Sequence, residues 1–261
     1  MGFSLQLVSE NPVISQTKNK DGSPRTPSPL RILSLLSHDL KTPLASIIGS
    51  LEIFQKMRAT LSEKKQETLC CVALEEARRL DQLITTVTEL AKLDVGYRAV
   101  HSQACDVGEM IGAVLSSQSV SSPPAELELE HTKSPVIMIT DAALFQQAIA
   151  ALLAYAVKSA SVHAAIRLAY QSSGDHVTIT CAVPGSTVTQ EKACAGAAGE
   201  IRLLSDEDLW RGMWLDLQLS RKIVGLLGGT LQCQEVQNGV AYVIVLSSAI
   251  PHGKNSQEEE S

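Results

Sequence analysis

Between Leu30 and Leu93 the chain carries two amphipathic stretches of about 30 residues each, divided by a short turn near Ala59–Ser62. In the second stretch Leu69, Ala73, Glu76, Leu80, Leu83, Val87 and Leu90 alternate in steps of four and three. That is the spacing of a coiled-coil-like seam, with Glu76 as one polar position that either fixes register or lies at the rim. In the first, Leu33, Leu36, Leu40, Leu44, Ile47, Leu51 and Phe54 recur at spacings of three and four and read as one buried helical stripe. Two long helices joined by a short loop cannot bury both stripes within one hairpin. Pairing two hairpins into a four-helix bundle does bury them, which predicts a homodimer. The alternative is that the hairpin packs on the chain downstream; the length of the seam favours the dimer.

Within the first stretch lies Ser37-His38-Asp39-Leu40-Lys41-Thr42-Pro43-Leu44. His38 is two residues from both Leu36 and Leu40, so at about 100° per residue it points away from the apolar stripe. Thr42, four residues on, shares that outward face. Pro43 lacks an amide hydrogen and clashes with the carbonyl of Asp39, so a bend is expected there. A neutral imidazole is a good nucleophile at neutral pH. A carboxylate beside it fixes its tautomer and stabilises the positive charge that develops.

The rest of the chain narrows the class. With 44% hydrophobic and 19% charged residues, its 261 residues suit folded domains, and aromatics at 3% leave the cores to aliphatic side chains. A net charge of -6 supplies no basic face for a phosphate backbone, so no nucleic-acid partner is expected. The six cysteines, at 70, 71, 105, 181, 194 and 233, lack metal-ligand spacing and are read as reduced thiols of a cytoplasmic protein. No metal site and no membrane insertion are expected. The five other histidines, at 101, 131, 163, 176 and 252, read as surface residues, Arg78-Arg79 as solvated, and Asp206-Glu207-Asp208 as charge at a helix N-terminus.

Residues 1–29 end in linker chemistry, 30–95 form the helical unit, and Asp94 to about Ala104 is a connector. Beyond it, runs at Leu127–Glu130, Val136–Ile139, Ala164–Tyr170, Val177–Cys181, Thr230–Glu235 and Val240–Leu246 read as strands. Asn238-Gly239 marks a hairpin between the last two. Helical patterns fall at about 107–117, 141–159 and 209–227. Residues 105–250 therefore read as a two-layer α/β sandwich, and 251–261 as a disordered acidic tail. The fold class is α+β.

The octapeptide on the first helix of a hairpin closely resembles the phosphoacceptor box of two-component sensor histidine kinases. The α/β region resembles their ATP-binding domain, of the type shared with gyrase and the Hsp90 chaperone, and the likeness spans about residues 28 to 250. It implies that His38 is the phosphorylated residue, that Asp39 activates it, and that Thr42 positions a water for removing phosphate from a partner aspartate. It implies response-regulator receiver domains as partners, with Mg²⁺ supplied by the receiver.

The second half departs from that family where nucleotide is held. The family's Asn-Leu-Leu-Glu-Asn-Ala-Ile-Lys stands here as Ala151-Leu152-Leu153-Ala154-Tyr155-Ala156-Val157-Lys158. Ala154 replaces the catalytic acid and Tyr155 the asparagine that holds Mg²⁺, and neither supplies an amide oxygen. The Asp-x-Gly-x-Gly box reads Val183-Pro184-Gly185-Ser186-Thr187, with Val183 in place of the adenine-binding acid. The second glycine box reads Gly212-Met213-Trp214-Leu215-Asp216-Leu217. Trp214 is expected to fill the space of a triphosphate, and Asp216 to set negative charge beside it. Each missing charge-assisted bond is worth about 1.5–3 kcal/mol, so nucleotide binding should fall by about a thousandfold or more. The expected function is a phosphorelay protein that passes phosphate between His38 and receiver aspartates without binding ATP. An ATP-dependent autokinase and a non-catalytic regulatory scaffold are the alternatives.

Overall fold

The computed structural model describes residues 29–95, 99–118, 126–130, 135–161, 164–186, 211–236 and 238–247, with Val188, Ala193 and Ala197. Side chains at 29–39, 118, 126 and 211–213 lie outside that description, as do the linker before Pro29 and the acidic tail.

Two long helices open the fold, α1 (Pro29–Met57) and α2 (Glu63–Asp94). The chain reverses between them through hydrogen bonds from Thr60 and Leu61 N–H to the Met57 carbonyl, at 2.9 and 3.0 Å. Gln66 Nε2 closes the turn by donating to the Arg58 and Leu61 carbonyls. α1 runs unbroken through Pro43, whose ring is buried.

The single stripe expected on α1 is two stripes. Leu40, Ile47 and Phe54 are half-buried and Pro43 and Ser50 are buried, whereas Leu44 and Leu51 are 46% and 52% exposed. A step of three residues turns the helix about 60° to one side of a line and a step of four about 40° to the other, so a stripe wider than one neighbour splits between two faces. On α2 the expected seam holds: Ala73 and Leu83 are buried, and Leu69, Glu76, Leu80, Val87 and Leu90 are half-buried. The last third of α2 packs on the α/β region, with Leu90 and Leu93 against its core. The hairpin thus meets the downstream chain at that end and leaves an apolar face uncovered elsewhere.

The α/β region follows as β1 (Gln103–Asp106), α3 (Val107–Gln118), β2 (Glu126–Glu130), β3 (Ile137–Thr140), α4 (Ala142–Ser159), β4 (Ala165–Ser173), β5 (His176–Pro184), α5 (Arg211–Leu226), β6 (Thr230–Val236) and β7 (Gly239–Ser247). Five strands form a mixed sheet in the order β2-β4-β5-β7-β6, with β2 parallel to β4 and the other pairs antiparallel. β1 lies partly where a connector was expected. It pairs antiparallel with β3 in a separate two-stranded sheet, so the run near Val136–Ile139 is not part of the main sheet. Four residues with mixed exposure carry too weak an alternation to mark β1 in sequence.

Alternation does mark β5, where Val177, Ile179, Cys181 and Val183 are fully buried beneath α4. β7 meets β6 through Asn238, whose φ of 66° is the left-handed conformation that Asn tolerates. Gly239 follows because a Cβ there would strike the Val183 backbone carbonyl. α4 is long and apolar enough by length and composition to cross a membrane, contrary to the expectation that no segment reaches that length. More than half of it is buried in this core, with Phe145, Ile149 and Leu152 among its innermost side chains.

Asp141 caps α4. Its carboxylate accepts from Leu144 N–H at 3.0 Å and from His101 N–H at 2.9 Å, tying the approach to β1 to the start of the helix. Burial pushes this carboxyl up, but backbone N–H groups of His101, Leu144 and Ala143 outweigh it and hold it below its ordinary 3.8. Asp141→Ala should cost about 1–2 kcal/mol in urea unfolding at neutral pH. A lowered folded pKa stabilises above 3.8, so the difference from wild type should shrink as pH falls below 3.8 through the folded value.

Candidate functional site

His38 and Asp39 lie on α1, and their side chains fall outside the described residues. Thr42, one turn further, is exposed and engaged in a side-chain interaction. Pro43 on the opposite flank is buried, so this turn of the helix has one face turned to α2 and one to solvent. Four residues advance a helix by about 400°, which sets positions 38 and 42 on the same side.

The positions where the resemblance implies nucleotide contacts have other uses here. Tyr155 is 4% exposed on α4, and its hydroxyl is 2.9 Å from that of Tyr242, a fully buried residue of β7. The rings meet edge to face, with centroids 5.2 Å apart and planes at 87°. Burial pushes the Tyr155 phenol up to about 12, and that of Tyr242 well above the ordinary range, so both stay neutral. Neighbouring strands place Cys181 and Cys233 directly beside Tyr242 in register. Position 155 therefore belongs to the core under the sheet, and its oxygen is spent on another side chain.

Ala154 is half-buried with no donor or acceptor on its side chain. Val183 is fully buried in the same core. Gly185 ends β5 with φ of 60°, and a Cβ there would lie 2.6 Å from Ser161 Oγ, so only glycine fits this corner. Its N–H donates to the Asn238 carbonyl at 2.5 Å, joining the end of β5 to the β6–β7 turn. The donor set at 154, 155 and 183 does not fit a Mg²⁺-bound nucleotide.

Gly212 falls in the first turn of α5. Trp214 is half-buried, and its indole Nε1 is shielded from water without a hydrogen-bond partner among the described residues. Asp216 was expected to set charge beside a phosphate site. Instead it is 4% exposed and accepts from Lys158 Nζ of α4 at 2.6 Å. The reason is packing on several sides: Leu215 to Ser220 are all buried, because α5 packs on α4, on β6 and on the end of α2. Burial raises the Asp216 carboxyl, while Lys158 and the Thr86 hydroxyl of α2 oppose the rise. Reading the sequence alone, Lys158 matched the family without a role and Tyr242 drew no notice. The signal for Tyr242 is pairing across the sheet, which a single chain does not display.

Five described cysteines form no disulfide, Cys70 and Cys71 being exposed, and Cys194 lies outside the description. Burial pushes the Cys181 thiol up to about 12, so it stays protonated. His101 and His176 are exposed, as are Arg78 and Arg79, whereas His131, His163, His252 and residues 206–208 lie outside the described residues. Among the described residues no group of three metal-ligating side chains converges.

Residues 30–96 match the His Kinase A (phospho-acceptor) domain. The adaptive-response sensory kinase SasA of Synechocystis is 25% identical over 201 residues, spanning 74% of this chain and 52% of that protein. The chain thus spans about half the length of that curated relative. The histidine kinase AdeS of Acinetobacter baumannii superposes with a TM-score of 0.60 at 17% identity, covering 81% of this chain and 98% of that one. The histidine kinase ThkA, solved in complex with the response regulator TrrA, gives 0.63 at 17% identity over 84% of this chain and 61% of that one. Helical hairpin, mixed five-stranded sheet and phosphoacceptor helix define a histidine-kinase fold. Residues 30–96 thus match the phosphoacceptor domain of two-component histidine kinases, and the chain as a whole shares the fold of those enzymes.

The Tyr155–Tyr242 pair gives a direct check on this core. Tyr155→Phe leaves the Tyr242 hydroxyl buried without its partner and should cost about 1–3 kcal/mol. Adding Tyr242→Phe should recover most of that loss, since two apolar rings leave no polar atom stranded. Additive losses in denaturant unfolding would show that the hydroxyls do not act as a pair.

Proposed function

We propose that this protein is a homodimeric phosphotransferase in which His38 exchanges a phosphoryl group with aspartates of response-regulator receiver domains. The observation that carries the reading is a contrast between its two halves. The phosphoacceptor octapeptide is complete, whereas the residue at the Mg²⁺-ligand position, Tyr155, has its oxygen bonded to Tyr242 in the core. In the transfer, an imidazole nitrogen of His38 attacks phosphorus and the bond to the aspartyl oxygen breaks. The carboxylate leaves with the electron pair, and the ring proton passes to Asp39 or to water. Such transfers need in-line positioning more than covalent help from the protein. The solved complex of ThkA with a response regulator supports this class of partner. The uncovered apolar residues Leu44, Ile48, Leu51, Leu74 and Ile84 of the hairpin support a second copy.

The test compares two phosphate donors. Labelled phospho-receiver should place label on wild type without ATP, and labelled ATP with Mg²⁺ should place none; His38→Gln should accept from neither. Label acquired from ATP, or no label from any receiver of the source organism, would overturn the proposal.

A further inference from the structure

The hairpin's uncovered face is built of two lines of side chains, one on each helix. On α1, Lys41, Leu44, Ile48, Leu51 and Gln55 step by three and four, and all are exposed. On α2, Cys70, Leu74, Ala77, Asp81, Ile84 and Thr88 step by four and three, and all are exposed as well. Leu44, Ile48, Leu51, Leu74 and Ile84 are each 46–52% exposed, although they alternate like the buried seams beside them. These two lines diverge by about 100° from the seams that join α1 to α2, the angle at which each helix would meet a second neighbour in a four-helix arrangement.

Each line carries one charge, and the two are opposite. Lys41 lies at the flank of the α1 line and Asp81 in the middle of the α2 line. Among the described residues neither side chain makes an ion pair or hydrogen bond. Their heights along the hairpin agree: Lys41 is sixteen residues before Met57, where α1 ends, and Asp81 is eighteen after Glu63, where α2 begins. Two residues of helix amount to about 3 Å of rise. The charges cannot meet within one hairpin, because each lies about 130–150° around its helix from the side facing the other helix.

We propose that, in the dimer already assigned to this face, Lys41 of each copy pairs with Asp81 of the other and so fixes the register of the two hairpins. A twofold axis along the bundle brings the α1 line of one copy onto the α2 line of its mate, and the reverse. An isologous contact of this kind makes every pair twice. The apolar residues drive association without choosing among heights, since lines that repeat every three or four residues fit nearly as well after a one-turn slip. A slip by one turn moves each charge about 5 Å from its partner and sets it against an apolar side chain. The pair therefore selects the register, as flanking charges do in coiled coils. The inference rests on the dimer in the proposed function and adds its alignment.

Charge exchange between chains provides the test, read by sedimentation equilibrium on the full chain. Lys41→Glu alone sets a carboxylate against Asp81 twice, and Asp81→Lys alone sets two ammonium groups together twice. Each should weaken the dimer about tenfold or more. Mixing the two variants restores one pair of each kind of charge in a heterodimer at one contact, with the reversed pair at the other, and so removes both repulsions. The mixture should therefore associate more tightly than either variant alone. The double variant Lys41→Glu/Asp81→Lys restores both pairs with reversed sign and should associate with itself about as tightly as wild type. A wild type that stays monomeric at all concentrations would overturn the dimer and the register together. A dimeric wild type whose single variants associate unchanged, or whose double variant fails to recover, would overturn the register alone.

Discussion

The interior of the α/β region depends on α5 being buried on nearly every side. Leu215 through Ser220 have little contact with water, so polar groups in that stretch need partners inside the protein. Asp216 finds one in Lys158, whose ammonium is close to α4 and still partly solvated. A buried carboxylate without such a cation would carry a large desolvation cost. The same packing brings α4 down on the sheet, where Tyr155 and Tyr242 satisfy each other's hydroxyls. One member of each pair, Tyr155 and Asp216, stands at a position where the resemblance implies a nucleotide site.

The other half of the molecule is organised differently. α1 and α2 bury one face against each other, and the hairpin meets the rest mainly through the last third of α2, with a smaller contact between α1 and α5. What remains uncovered is patterned: apolar residues at helical spacing, with a lysine and an aspartate at one height. Isolated exposed leucines are ordinary on a protein surface, but a continuous line of them along both helices is not. The proposed dimer covers that line, and the proposed phosphotransfer uses the face of α1 that the line leaves free.

Much of this fold was legible in the sequence where periodicity was long. The seam from Leu69 to Leu90 placed α2, the alternation from Val177 placed β5, and Asn238-Gly239 placed the β6–β7 hairpin. Short or mixed signals failed. β1 has four residues without clean alternation, and the apolar residues of α1 serve two neighbours, which a one-stripe reading merges. At the candidate site, the substitutions at 154, 155 and 183 were visible as departures from a family pattern. Where their side chains went was not, because the Tyr155–Tyr242 and Lys158–Asp216 contacts join residues 87 and 58 positions apart. Contacts of that separation are set by topology and leave no local trace.

The α/β half keeps a histidine-kinase fold, while Tyr155 and Asp216, at positions where the resemblance implies a nucleotide site, bond to Tyr242 and Lys158. Trp214, half-buried at the start of α5, is placed to report on this directly. Its indole N–H resonance, followed by NMR during titration with Mg²⁺ and ATP into the millimolar range, should stay where it is in the free protein. A saturable shift at micromolar nucleotide, lost when Mg²⁺ is removed, would contradict the account.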